Sequence, residues 1–295
     1  MVAAFLLQIS FYLAAGFPGA RRWLEQRLRP VQVGALLVLM GVVPYLVYSV
    51  PAGVFGWAAL GKLAVIAGVP ALAFVVAPTQ SRGLVWQDVV VVGTVAVAEL
   101  GNLFRGIYAS PILGVRIEIL GRFMILGVGA MAYLSLRRLE GSGYRLAWSW
   151  EEWKVGVKQF ALFLPVGVVV GLGIGFMEYR PVQAQWWWMY PVLAVGTFLG
   201  IYLAVALFEE LFFRGVLQNL ISHSLGNPVA AQLVVSVLFG LTHLPFRAFP
   251  NWRFALLATI MGWFYGQAWR QGGSVVASSI THALVVTVWK LLFSR

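Results

Sequence analysis

Apolar residues run along this chain in long blocks, broken by short clusters of Gly, Pro and charged residues. The blocks fall at about 2–17, 31–50, 54–77, 86–103, 119–136, 157–177, 189–208, 228–244, 254–270 and 274–292. A helix needs about 20 apolar residues to cross the hydrocarbon of a bilayer, and most of these blocks reach that length. The expected fold class is therefore all-α, a polytopic transmembrane helical bundle of about eight to ten spans. The first block, Val2 to Phe17, is short and is expected to tilt or to lie at the interface. It lacks the basic leader of a signal peptide, and an Arg-rich stretch follows it, so it reads as a retained helix.

The breaks carry the punctuation expected between spans. Pro51-Ala52-Gly53 and Pro78-Thr79-Gln80 separate blocks two to four. Arg137 to Trp153 is the longest polar connection and contains Gly141-Ser142-Gly143. Trp148, Trp150, Trp153 and the run Trp186-Trp187-Trp188 read as aromatic belts at the membrane–water boundary. Arg21, Arg22, Arg27 and Arg29 follow block one, and Arg137, Arg138, Arg145, Lys154 and Lys158 follow block five. With ten spans both clusters share one side, expected to be cytoplasmic, with the N-terminus outside. No internal repeat stands out.

Composition agrees with the pattern. Hydrophobic residues make up 61% of the 295 positions and charged residues 11%. A soluble domain carries about 25% charged residues, so this chain cannot dress a surface for water. The net charge of +11 sits mainly between apolar blocks, where it meets anionic lipid headgroups; no basic reading element for nucleic acid is visible. The chain has no cysteine, which excludes disulfides, Cys-ligated zinc and thiol catalysis. Arg far outnumbers Lys, in keeping with a prokaryotic origin, and the expected location is a prokaryotic plasma (inner) membrane.

Only ten carboxylates exist. Glu25, Asp88, Glu118, Glu140, Glu151, Glu152 and Glu178 lie in loops or near block ends, and Glu99 lies within block four. Glu209-Glu210 instead follow an unbroken apolar run from Pro191 to Phe208, with Leu211-Phe212-Phe213 and Arg214 behind them. Ionisable groups at hydrocarbon depth cost several kcal/mol and by default mark function. Glu210 and Arg214 stand four apart on one helical face and can pair, whereas Glu209 points about 100° away and is free to act elsewhere. All three histidines lie in the last third: His243 near the end of block eight, His282 in the middle of the last block, and His223 in a polar stretch, Ser222 to Asn227, that reads as a loop. One intramembrane His is ordinarily a hydrogen bond between helices; two of them beside a glutamate pair suggest a site.

Glu209-Glu210-x-x-x-Arg214, then Phe239-x-x-x-His243, then His282 in a final span resembles the CPBP intramembrane protease family. That family includes CAAX-processing Rce1-like endopeptidases and bacterial proteins linked to bacteriocin processing and self-immunity. The resemblance covers about residues 190–292, so residues 186–295 read as a catalytic transmembrane core and 1–185 as variable N-terminal helices. One position departs: the family carries Asn or Asp four residues after the last His, and here stands Val286. Ser278, Ser279 and Ser236 are the hydroxyls near enough in sequence to stand in, against their plainer reading as helix-packing contacts.

The resemblance implies peptide-bond hydrolysis in which Glu209 activates water, His243 and His282 complete the site, and Glu210, Arg214 and Phe239 support it. His243 or His282 would stabilise the tetrahedral intermediate or protonate the leaving amine. A cofactor is not favoured. Glu209, His243 and His282 could nonetheless form a zinc set, although no H-E-x-x-H spacing asks for one. The partners implied are membrane lipid and a protein or peptide substrate. Two other readings stay open: a non-catalytic family member, such as an immunity or scaffold protein, which Val286 keeps alive; and a transporter, with Glu99, Arg105 and Lys62 along its path.

Overall fold

The computed structural model describes residues 1–112, 114–180 and 184–294, and the side chains of Ala184 and Trp186 lie outside what is described. The described residues are almost entirely helical, and contacts divide the chain into two compact units, Met1–Glu140 and Gly141–Arg295. That division follows packing, whereas the sequence division at 185/186 follows motifs; the helix before the motifs packs with them.

In the first unit, α1 (Val2–Ala14) turns by 85° into α2 (Pro18–Arg27). The break falls at Gly16 and Phe17, with Pro18 at the first helical position of α2, where its missing N–H costs nothing. The block expected as 2–17 is thus a shorter helix, and the Arg-rich stretch behind it is a helix of its own. Then come α3 (Pro30–Ser49), α4 (Trp57–Val76), α5 (Trp86–Leu100) and α6 (Ile119–Leu136). α6 is the central element, buried along most of its length, and α1, α3, α4 and α5 all pack on it. Gly127 of α6 meets the backbone of Tyr12, and Gly41 of α3 faces Ala67 of α4. Small residues let helix backbones approach where apolar lipid supplies no drive to associate.

By sequence Arg137 belongs with the loop charges. It lies buried at the end of α6, with Nε 3.2 Å from Asp88 Oδ1, and donates to the carbonyls of Ser81 and Gly83. Tyr133 adds a bond to the Asp88 carbonyl. A loop position in the sequence does not exclude an interior pair, and Arg137 is unavailable as a topology-setting surface charge. Glu99 pairs with Arg122 at 3.3 Å, while Lys62 and Arg105 are exposed.

The second unit holds α7 (Trp150–Gly173), α8 (Trp187–Leu225), α9 (Pro228–Leu241), α10 (Trp252–Gly272) and α11 (Val275–Leu292). Four of these five helices are capped at their starts by side chains. Ser149 and Glu152 exchange bonds at the head of α7. The side chains of Asn227, Asn251 and Ser274 accept from the first free N–H groups of α9, α10 and α11. α7, α10 and α11 pack against one another, α9 lies along α10, and α8 lies on α11 and α9. Two strands close the unit: β1 (Glu178–Tyr179) pairs antiparallel with β2 (Phe293–Ser294), which ties the chain end to the segment after α7.

Among the described residues, six helices are long and apolar enough to cross a membrane, or seven if the bent pair is one span. The remaining blocks formed α5 and α9, of 15 and 14 residues, and α10, whose last turns carry Gln267, Arg270 and Gln271. Large apolar side chains stand exposed along the helices, Val65 and Leu72 of α4, Val169 of α7 and Val192 and Val195 of α8 among them. Apolar surface on this scale is tolerable against lipid, not water. Trp148, Trp150, Trp187 and Trp188 are likewise exposed. The chain is an all-α polytopic helical bundle of an integral membrane protein.

Candidate active site

The block expected to end near Phe208 does not end there. α8 continues unbroken to Leu225, which carries Glu209, Glu210 and Arg214 in the middle of a 39-residue helix. His223 therefore lies in its last turn, exposed, and not in a loop. The helix stops one residue beyond, where Gly226 takes φ +61° and Asn227 at once caps α9. Polar composition suggested a loop, but the Gly-Asn-Pro order marks a helix end and a new start.

Two widened stretches of α8 flank the glutamates. The Leu207 N–H bonds the Tyr202 carbonyl, five residues back, and the Asn219 N–H does the same to Arg214. Such i→i−5 turns each insert a residue into the helical register and recur at functional sites. Here they bracket the charged group and set which faces Glu209 and Glu210 occupy.

Glu210 and Arg214 have no exposed side-chain surface, and Arg214 Nη1 lies 2.9 Å from Glu210 Oε1, the i,i+4 pair expected from spacing. Arg214 Nη2 donates to the carbonyl of Gly262 on α10 at 2.9 Å. This is possible because Gly262 lacks a side chain: a Cβ there would lie 3.3 Å from that nitrogen and 3.0 Å from the Ser236 Cα. The guanidinium also lies 4.7 Å from the centre of the Phe239 ring. A buried ion needs this degree of pairing to persist at such depth.

His282 of α11 adds a partner that spacing could not show. Its Nδ1 stands 2.9 Å from Glu210 Oε1, and its Nε2 3.9 Å from Glu209 Oε2. Glu209 keeps 27% of its side-chain exposure, so it is the less enclosed carboxylate of the pair. Tyr265 of α10 stacks on the His282 ring, 4.6 Å between centres and 15° between planes. Sequence reading passed over Tyr265; its one signal is a polar aromatic in an otherwise apolar stretch.

His243 stands just past the end of α9. Its Nδ1 is 2.7 Å from the Phe239 carbonyl. A carbonyl only accepts, so Nδ1 carries the proton and Nε2 is left for other work. The ring packs on Phe239 at 4.7 Å and lies within electrostatic reach of Glu209, His282 and Arg214. Phe239 also meets His282 at 6.1 Å, so one aromatic ring spans both imidazoles and the guanidinium.

The structure thus brings Glu209, Glu210, Arg214, Phe239, His243 and His282 into one neighbourhood. The three serines play no part in it: Ser278 and Ser279 bond the Val275 carbonyl and Ser236 that of Gln232, each on its own helix. Val286 is partly buried one turn beyond His282. Among the described residues no three His, Asp or Glu side chains are arranged to hold a metal ion, and Glu209, His243 and His282 are no exception.

Residues 186–288 match the model of one family, described as type II CAAX prenyl endopeptidase Rce1-like. The match covers every residue singled out above and bears out the resemblance read from the motifs. It supports a membrane endopeptidase in general. No curated protein and no solved structure matches the chain.

Proposed function

Proceeding from the Rce1-like family to which residues 186–288 are matched, we propose that this protein is an intramembrane endopeptidase with a glutamate-activated water. The observation that carries the reading is the division of labour between adjacent carboxylates. Glu210 is buried between Arg214 and His282, whereas Glu209 keeps part of its carboxylate exposed 3.9 Å from His282 Nε2.

Hydrolysis needs a base for water and a group to meet the developing oxyanion. Glu209 takes a proton from water as its oxygen attacks the peptide carbonyl. The tetrahedral intermediate then breaks its C–N bond, and the proton passes to the leaving amine. His282, oriented by its bond to Glu210, presents Nε2 toward Glu209 and the reacting atoms. His243, oriented by its Nδ1–H bond to the Phe239 carbonyl, presents Nε2 from a second helix. One of the two, as an imidazolium, donates from Nε2 to the oxyanion, and the other relays the proton from Glu209 to the leaving amine. Glu210 and Arg214 hold the constellation together.

The substrate is a membrane-associated or lipid-anchored protein or peptide, cut near a terminus, and the setting is a prokaryotic plasma membrane. The reading is tested with full-length protein in liposomes and two internally quenched probes, a farnesylated peptide ending in a CAAX sequence and an apolar signal-like peptide. Cleavage of either that disappears in Glu209→Ala supports it. Cleavage that survives in Glu209→Ala overturns it.

A further inference from the structure

Three buried polar atoms around the site have no partner among the described residues: the Tyr265 hydroxyl, Glu210 Oε2 and Arg214 Nε. Tyr265 is fully buried. Its ring is already placed by stacking on His282, which itself bonds Glu210, and it lies 5.3 Å from the Arg214 guanidinium; its hydroxyl bonds none of these groups. A buried hydroxyl without a partner costs about 1–3 kcal/mol. An apolar ring of the same shape would stack as well and carry no such cost, so stacking alone does not account for tyrosine here. Where buried polar groups lie in one neighbourhood without a direct bond, a bridging water satisfies them.

We propose that Tyr265 is a positioning residue of the site: its ring fixes the plane of His282, and its hydroxyl, through one internal water, holds Glu210 Oε2. Glu210 would then be fastened on both oxygens. Oε1 is held by Arg214 Nη1 and His282 Nδ1, and Oε2 by the water on Tyr265. With Glu210 unable to rotate, Nδ1 of His282 stays on Oε1 and its Nε2 stays toward Glu209. Gly262 and Gly266 bring α10 close enough for this. A Cβ on Gly262 would press on Ser236 and Arg214, and one on Gly266 on Gln218 and Gln232. The role assigned to Tyr265 rests on the endopeptidase reading, but the link from its hydroxyl to Glu210 does not.

The test therefore has two arms. In the first, 3-fluorotyrosine is placed at position 265 alone in the full chain, in lipid nanodiscs, and its fluorine resonance is followed. The expected result is a shift on exchange of H2O for D2O and a further change with Glu210→Gln, with none for Glu151→Gln, an exposed carboxylate paired to Lys154. A resonance indifferent to both exchange and Glu210→Gln overturns the link, whatever the protein cleaves. In the second arm, cleavage of the quenched peptides is compared across variants. Tyr265→Phe keeps the ring and is expected to lower kcat by about 10- to 100-fold with KM unchanged, the loss that follows removal of an outer partner of a metal-bound histidine being the nearest guide. Tyr265→Leu loses more. A Tyr265→Phe enzyme with wild-type kcat overturns the positioning role. A wild-type protein that cleaves neither peptide counts against the endopeptidase reading, and the fluorine arm still decides the link.

Discussion

His282 presents Nδ1 to Glu210 at 2.9 Å and Nε2 to Glu209 at 3.9 Å, so one imidazole stands between two neighbouring carboxylates of unlike surroundings. Adjacent residues of a regular helix point about 100° apart and cannot both address one ring squarely. The widened turns on either side of the pair place this difference in the backbone. Removing either carboxylate should therefore have a different consequence.

Glu209→Gln is expected to lower cleavage by about 100- to 10,000-fold, the range attributed to a general base, with an unchanged melting temperature. Its carboxylate is partly exposed and supports no buried cation directly. Parallel peptide-cleavage assays and thermal melts in detergent check this. A Glu209→Gln protein that melts far below wild type would mean that Glu209 is a structural partner.

Glu210 should behave in the opposite sense. Arg214→Leu leaves the Glu210 carboxylate buried among helices with its main cation gone, which costs about 3–5 kcal/mol. The double variant Glu210→Leu with Arg214→Leu removes both charges and should recover much of that loss, while remaining inactive. Chemical denaturation of the two single variants and the double variant gives the coupling. Strict additivity would show that the 2.9 Å contact is not an energetic pair.

The N-terminal unit has its own buried pair, and Arg137→Leu should cost a similar 3–5 kcal/mol or so by stranding Asp88. Asp88 and Arg137 are 3% exposed or less, and the arginine also closes the carbonyls of Ser81 and Gly83. Hydrogen exchange followed by mass spectrometry should show the loss first in peptides from Trp86–Leu100 and Ile119–Leu136. Unchanged protection there would mean the pair contributes nothing.

How much of this could be read from residues alone depends on the range of the interaction. Apolar block length gave the helices, because crossing lipid imposes a length that any sequence must meet. The Glu210–Arg214 pair was legible because both ends lie on one helix at a fixed spacing. The His282–Glu210 bond spans 72 positions, and the Arg137–Asp88 pair 49; neither leaves a local trace. The continuation of α8 past Glu210 was hidden because charge inside a helix resembles charge after one. Tyr265 was missed because a tyrosine in an apolar stretch ordinarily fills space. The three serines follow their plainer structural reading, since helical Ser readily bonds the carbonyl a turn back.

Chelation addresses the role of metal directly. With Glu209, His243 and His282 arranged as they are, cleavage is expected to persist in EDTA and in 1,10-phenanthroline, after dialysis into metal-free buffer. Loss of cleavage that returns on adding zinc would replace the glutamate mechanism with one in which these donors regroup around the ion.

Packing between α9 and α10 offers the sharpest structural test, because it moves the site without touching it. Gly240 stands between Phe239 and His243 in sequence, and a Cβ there would run into Thr259 Oγ1 and the Ala255 carbonyl. Backbone on α10 cannot yield as a flexible side chain would, so Gly240→Val must push the end of α9 outward. Overpacking of this kind costs about 1–3 kcal/mol, a modest drop in melting temperature. The functional loss should be larger. Phe239 and His243 ride on the displaced turn, and a misplacement of about 1 Å in such a constellation can cost 100-fold in rate. Gly200→Val supplies the comparison: it lies exposed on α8 with open space where a Cβ would go, and should alter neither melting nor cleavage. If Gly240→Val cleaves at the wild-type rate while Gly200→Val does too, the position of His243 is immaterial to the chemistry, and its place in the site would have to be given up.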